Sequence, residues 1–197
     1  MSGLEVVTAA QEPVLSLEEA KAHLRVDISD DDALIAAFVA AATAWSEEYM
    51  RSALITRVYR YWLDDMPGLV LRLPMPPLQM VEKVSFFDDG DVEHVADGAS
   101  YFVDNVSRPG RVALRGGWSW PQVDLRVVNG VAVTYKAGWG DSAASVPENI
   151  RTAIRLLVGH YYENREAVVT SGAMPKELLF AVTALLNPYR MSMVGGF

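Results

Sequence analysis

Between Ile55 and about Gly138 the chain carries seven short segments rich in β-branched and aromatic residues: "TRVYRYWL", "LVLRL", "VEKVSFF", "DVEHV", "SYFVDN", "RVALRG" and "NGVAVTYKAGW". Turn-forming residues separate them, in "MPG", "PMPP", "DDG" and "SRPG". Such runs, bounded by Gly, Pro and Asp, are strands. Parallel strands need long, usually helical, crossovers. No long helical pattern alternates with these segments, so the region is expected to be a small, mainly antiparallel sheet. Within it, "FFDDGDVEHV" predicts a hairpin with Asp89-Gly90 at the turn.

On both sides of this region the apolar period changes to that of helices. Ser16 and Glu19 have the spacing of a capping box and open a first helix. Four aspartates crowd "DISDDDALIAAF", residues 27–38. A calcium loop would place a glycine after them and a glutamate at its twelfth position. Here an apolar stripe begins at once, through Leu34, Phe38, Ala42, Trp45 and Tyr49. The spacing therefore predicts a helix capped by Ser29 or Asp30, with Asp31 and Asp32 facing the positive end of its dipole. Ser145, Pro147 and Glu148 predict a third helix, with Ile150, Ala153, Ile154, Leu157 and Tyr161 as its stripe. The last helix opens at Pro175 and stops at Asn187-Pro188. Its "LLFAVTALL" is apolar on nearly every side, which suits the core or a contact with another chain. The fold class is therefore α+β. Residues 1–54 and 141–197 are expected to form a helical domain of two N-terminal and two C-terminal helices, with residues 55–140 inserted as a β subdomain.

Chemistry is sparse in this sequence. With no cysteine, disulfides, thiolate metal sites and a cysteine nucleophile are excluded together. His23, His94 and His160 lack ligand-like spacing, and His160 is expected to pack or cap locally. No phosphate-binding glycine loop or nucleophile elbow is present. Glu47 and Glu48 are neighbours on a helix, diverge, and are expected on a solvated face. The chain is therefore expected to be no enzyme and to bind no cofactor or metal. Its formal charge of −8 repels a DNA backbone, which argues against nucleic-acid binding as the main task. "MSGLEVVTAAQEP" reads as no signal peptide, and no window has the roughly 18 consecutive apolar residues of a membrane span, so the cytoplasm is the default expectation.

The aromatic residues are the remaining functional candidates. Trp118 and Trp120 flank Ser119 at strand spacing and would share a face, as either core or an exposed anchor. The segment "NPYRMSMVGGF" contains Tyr189, Arg190, Met191, Met193, Val194 and Phe197 but no further helix signal. It is too short to bury these side chains by its own folding.

Several stretches together resemble head–tail connector (adaptor) proteins of tailed bacteriophages. "SLEEAKAHLRVD" and "DDDALIAAFVAAATAWSEEYMRSALITR" resemble the N-terminal helices of that family. "LRLPMPPLQMVEKVSFFDDG" is similar to the proline-rich turn and strand of its longer branch. "YKAGWGDSAASVPENIRTAIRLLVGHYYENRE" and "LLNPYR" are similar to its strand, loop, third helix and ending. The resemblance runs from about residue 14 to 190 and includes the related adaptors of gene transfer agents. It implies a virion structural protein at the head–tail junction, assembled in the host cytoplasm. Its subunits would form a homo-oligomeric ring of about a dozen copies between the portal protein and a tail-side connector or stopper. DNA would pass through this conduit without specific binding, and no membrane is involved.

A ring subunit needs two different lateral faces. Trp45, Tyr49, Arg151, Arg155, Trp118 and Trp120 are the residues expected at or near the contact between neighbours, and Tyr189 to Phe197 the expected portal-binding tail. The competing expectation is a soluble module that binds a saccharide or peptide through an exposed aromatic face.

Overall fold

The computed structural model describes residues 2–165 and 175–191. The chain divides into two compact units, one of Met1–Ala10 with Thr56–Trp139 and one of Gln11–Ile55 with Gly140–Phe197.

The first, the β unit, holds eight strands among the described residues: β1 (Ser2–Thr8), β2 (Arg57–Leu63), β3 (Val70–Arg72), β4 (Leu78–Phe87), β5 (Glu93–Val95), β6 (Tyr101–Asp104), β7 (Arg111–Leu114) and β8 (Val131–Ala137). All pair antiparallel, in a five-stranded sheet of order β1-β2-β8-β4-β5 and a three-stranded sheet of order β3-β7-β6. The seven segments read from the sequence are β2 to β8. The N-terminal strand β1 was not foreseen. It joins residues 1–10 to the strands, whereas the sequence placed them with the helices.

The central strand β8 is buried at six of its seven positions, which explains its nearly unbroken apolar run. Tyr135 on β8 stacks on Tyr59 of β2 with ring centroids 5.7 Å apart, and its hydroxyl donates to the Pro74 carbonyl at 2.8 Å. Burial pushes its phenol well above the ordinary range. Gly110 lies so close to Leu78 that a Cβ would fall 2.4 Å from the leucine's own, so only glycine fits there. The β4–β5 hairpin closes through residues 88–92. There the Asp88 carboxylate accepts the N–H groups of Gly90 and Val92 at 3.0 and 2.9 Å.

The helical unit contains α1 (Leu17–Leu24), α2 (Asp32–Met50), α3 (Glu148–Glu163) and α4 (Lys176–Leu186), followed by a 3-10 turn at Asn187–Tyr189. The Ser16/Glu19 capping box is formed in both directions, each bond 3.1 Å long. The other two predicted caps are not. Asp31 occupies the cap position of α2 without a side-chain cap bond, and Ser29 contributes its carbonyl instead, to the Asp32 N–H. Pro147 precedes α3, while Ser145 ends a separate 3-10 turn.

The buried face of α2 is Ile35, Val39, Ala42, Ser46 and Met50, one position round from the predicted stripe. Leu34, Phe38, Trp45 and Tyr49 form a second, half-buried flank beside it. α3 buries Ile150, Ala153, Ile154, Leu157 and Val158, while Tyr161 stays half-buried against Phe38 at 6.0 Å. Val182 and Leu186 of α4 complete this core. Each large apolar side chain fully buried there contributes about 1.5–3 kcal/mol. Glu47, expected on a solvated face, is buried, and its carboxylate accepts the Leu54 N–H at 2.9 Å, tying the end of α2 to the segment that leaves it.

Candidate assembly surfaces

The residues singled out in the sequence separate into two groups. In the helical unit, Trp45 and Tyr49 lie one turn apart on α2 and stack with centroids 5.3 Å apart and planes at 7°. The Tyr49 hydroxyl donates to Asn187 Oδ1 at 2.7 Å, and the Arg190 guanidinium sits 4.8 Å over the Tyr49 ring. The Met191 N–H donates to the Met50 carbonyl at 3.0 Å. The segment after α4 is thus held along the end of α2 as far as Met191. Met193, Val194 and Phe197 lie outside the described residues.

Arg151 and Arg155, one turn apart on α3, are joined to acidic residues of their own unit. Arg151 pairs with Glu19 of α1 and with Glu148, and Arg155 pairs with Glu148 at 2.5 Å. The Ser16 N–H and then the Arg151 guanidinium hold Glu19 below the usual carboxylate range, while Arg155 does the same to Glu148. The aspartate cluster takes part in similar ties. Asp31 accepts from the Tyr162 hydroxyl and from Arg165, both at 2.7 Å, and these donors lower its pKa in that order. Asp32 pairs with Lys21 at 2.6 Å.

In the β unit the two tryptophans part company. Trp118 is 47% exposed, whereas Trp120 is 6% exposed. Trp120 packs on Phe86 and Tyr101 with centroids at 5.7 and 6.2 Å, and its Nε1 donates to the Gly68 carbonyl at 3.3 Å. The two do not share a face because residues 118–120 are not a strand. Among the histidines, His94 Nε2 lies 2.7 Å from Asp88 Oδ2 and His160 Nδ1 lies 3.1 Å from the Asn164 amide. Among the described residues, no group of three metal-ligating side chains converges. No described helix is long and apolar enough to cross a membrane.

The sequence did not reveal how much apolar surface the β unit displays. Leu4, Val6, Leu69, Val70, Phe102 and Val106 are all exposed there, while the helical unit exposes Ile28, Leu179 and Phe180. Large exposed apolar patches mark contacts with other macromolecules. Charge is divided just as unevenly. The β unit carries nine basic and eleven acidic residues, the helical unit eight and fourteen. The alternation in "SGLEVVT" was the available signal for β1, but it is short and has no turn residue before it.

The β unit pairs its charges as the helical unit does, as in Lys83–Glu93, Arg111–Asp104 and Arg126–Asp91, and differs in its exposed apolar strands, a kind of surface that marks assembly with other macromolecules. Residues 14–85 match the family described as Phage gp6-like head-tail connector protein. No curated protein matches the chain. Among solved structures, the chain is similar to one from the neck of an empty gene transfer agent (GTA) particle, computed with C6 symmetry. The TM-score is 0.80 at 28% identity, covering 99% of this chain and 98% of that one. A chain from the neck of the native GTA particle, computed with C12 symmetry, gives the same values. One from the native GTA virion has a TM-score of 0.80 at 28% identity and covers 98% of each chain. The family match and this likeness together support a head–tail connector of phages or gene transfer agents, a structural and non-enzymatic virion protein.

Proposed function

We propose that the protein forms a closed homo-oligomeric ring of twelve copies that docks on the portal and joins it to the tail. The observation that carries this reading is the likeness over nearly the whole chain to a subunit of a particle neck with C12 symmetry. Tail-side, the ring would meet a further connector or stopper. DNA would pass through it without being held, and the chain's acidic balance suits that role by repelling phosphates. The ring would assemble in the host cytoplasm before or on docking.

Trp45, Tyr49 and Trp118 keep accessible area for a neighbour. Arg151 and Arg155 would act at a contact by extending their present pairs with Glu19 and Glu148. The tail from Tyr189 to Phe197 would reach the portal, with Met191, Met193, Val194 and Phe197 filling apolar gaps. Each tail contact would be weak taken singly, and repetition around a ring would supply the avidity.

Light scattering and electron micrograph averages of the purified protein, alone and with portal-bearing capsids, test the ring. Twelve-fold rings support it, and a monomer under both conditions removes it. A chain truncated after Met191 should keep its melting temperature and lose attachment to the capsids. Undiminished attachment would remove the tail from the portal contact.

A further inference from the structure

The three-stranded sheet has one face turned inward and one turned out. In its register Leu71, Val112 and Val103 stand in one row, with Val112 on the central strand fully buried, Leu71 half-buried and Val103 on an edge strand 40% exposed. The rows on the opposite face are Val70–Ala113–Phe102 and Arg72–Arg111–Asp104, because directly paired residues of an antiparallel sheet point the same way. Val70 and Phe102 are 51% and 53% exposed. Arg115 lies over the Phe102 ring at 3.5 Å, so arginines border the apolar row on both sides. Asp104 pairs with Arg111 at 2.5 Å. Arg72 has no ion pair or hydrogen-bonding partner among the described residues, and the outward face keeps an excess of positive charge.

The helical unit carries a feature of the opposite sign. In the loop between α1 and α2, Ile28 is 61% exposed, and the carboxylates of Asp27 and Asp30 on either side of it are exposed too. Neither carboxylate has a partner among the described residues, unlike those of Asp31 and Asp32. An apolar side chain between two free acids complements an apolar row bordered by the unpaired Arg72 and by Arg115, which has no carboxylate partner among the described residues. The two features differ, so their contact is heterologous, the kind that repeats head to tail and closes into a ring.

We infer that the outward face of the three-stranded sheet docks the Asp27–Asp30 loop of a second copy of this chain. Ile28 covers the Val70–Ala113–Phe102 row, and Asp27 and Asp30 face Arg72 and Arg115. The inference rests on the ring reading above and names one of its contacts. Complementary charge at the rim fixes register and speeds encounter, while the apolar centre holds the contact. An arginine-rimmed phenylalanine could also serve single-stranded DNA. The matching acidic knob on the same chain, and the chain's net charge of −8, favour the second copy.

The chain has no cysteine, which permits a direct test. Chains carrying Ile28→Cys and chains carrying Val70→Cys are mixed, assembled and mildly oxidised. The mixture should yield a disulfide-linked dimer well in excess of that formed by either variant alone. In parallel, Arg72→Glu and Asp30→Arg should each weaken ring assembly about tenfold at physiological salt, and the double variant should recover most of it. Intact wild-type rings with no mixed crosslink, or reversals that simply add, overturn this contact and leave the ring reading standing. A wild-type protein that never assembles, alone or on portal-bearing capsids, overturns both. Fluorescence anisotropy with a labelled single-stranded oligonucleotide completes the test. Binding lost in Arg72→Glu while rings form normally would assign the face to DNA instead.

Discussion

The two units meet water in opposite ways. The helical unit has the greater excess of acids, yet Glu19, Asp31, Asp32 and Glu148 are tied to Arg151, Arg155, Arg165, Lys21 and Tyr162 of the same unit. The β unit is nearer to electroneutral and leaves valines, leucines and a phenylalanine in solvent along β1, β3 and β6. Both units pair most of their charges internally, and what separates them is the number of apolar side chains left in water. The sequence pointed to contact residues in both units, Trp45, Tyr49, Arg151 and Arg155 on the helices and Trp118 and Trp120 among the strands, and the structure adds internal partners for the first four.

The contrast can be broken first at the cores. Phe86→Ala should cost about 3–5 kcal/mol, since the ring is fully buried and supports Trp120. If the units are separately cooperative, thermal unfolding should show an early loss of strand signal with helical circular dichroism retained. A single joint transition would show that they unfold as one. Next, Glu47→Ala leaves the buried Leu54 N–H without its acceptor and should cost about 1–3 kcal/mol, read in urea denaturation followed by helix signal.

A smaller effect is expected of Arg151→Ala, about 1 kcal/mol, because its pairs lie partly in water. This variant also carries a pH signature. Glu19 and Glu148 are held below their ordinary 4.5, so the stability they contribute is fully present above that value and is lost as pH falls through the folded-state value. Wild-type stability should therefore fall as the pH drops below 4.5, and Arg151→Ala should flatten that fall. The smallest effect is predicted at Phe180, which is 76% exposed on α4. Phe180→Ser should change stability by no more than about 0.5 kcal/mol while reducing self-association on concentration. A marked loss of stability would place Phe180 in the unit's own packing.

Features fixed by near neighbours could be read from the sequence. The Ser16–Glu19 box, the β4–β5 hairpin and the strand segments β2 to β8 depend on contacts a few residues apart. Features decided at a distance could not. Asp31 holds partners 131 and 134 residues away, and its backbone, at φ −97° and ψ 5°, is not the extended geometry of an ordinary cap. The parity of Trp118 and Trp120 failed because the alternation rule assumes a strand that the chain does not form there. The outward face of the small sheet needed the pairing of three strands far apart in sequence before Val70, Ala113 and Phe102 could be placed in one row.

The register of β2 on β8 has a consequence for folding kinetics. Arg57 pairs with Ala137, so the β unit's chain enters and leaves at adjacent points of one sheet. An unstructured segment as long as Thr56–Trp139 would add roughly 4 kcal/mol of loop-closure entropy to any docking of α2 on α3. Once β2 and β8 have zipped together, that loop is already closed and α2 can find α3 almost as if the two were consecutive. Folding should then be ordered, strands before helix docking. Replacing residues 56–139 by a turn of a few residues should yield a helical unit that folds faster than the parent protein.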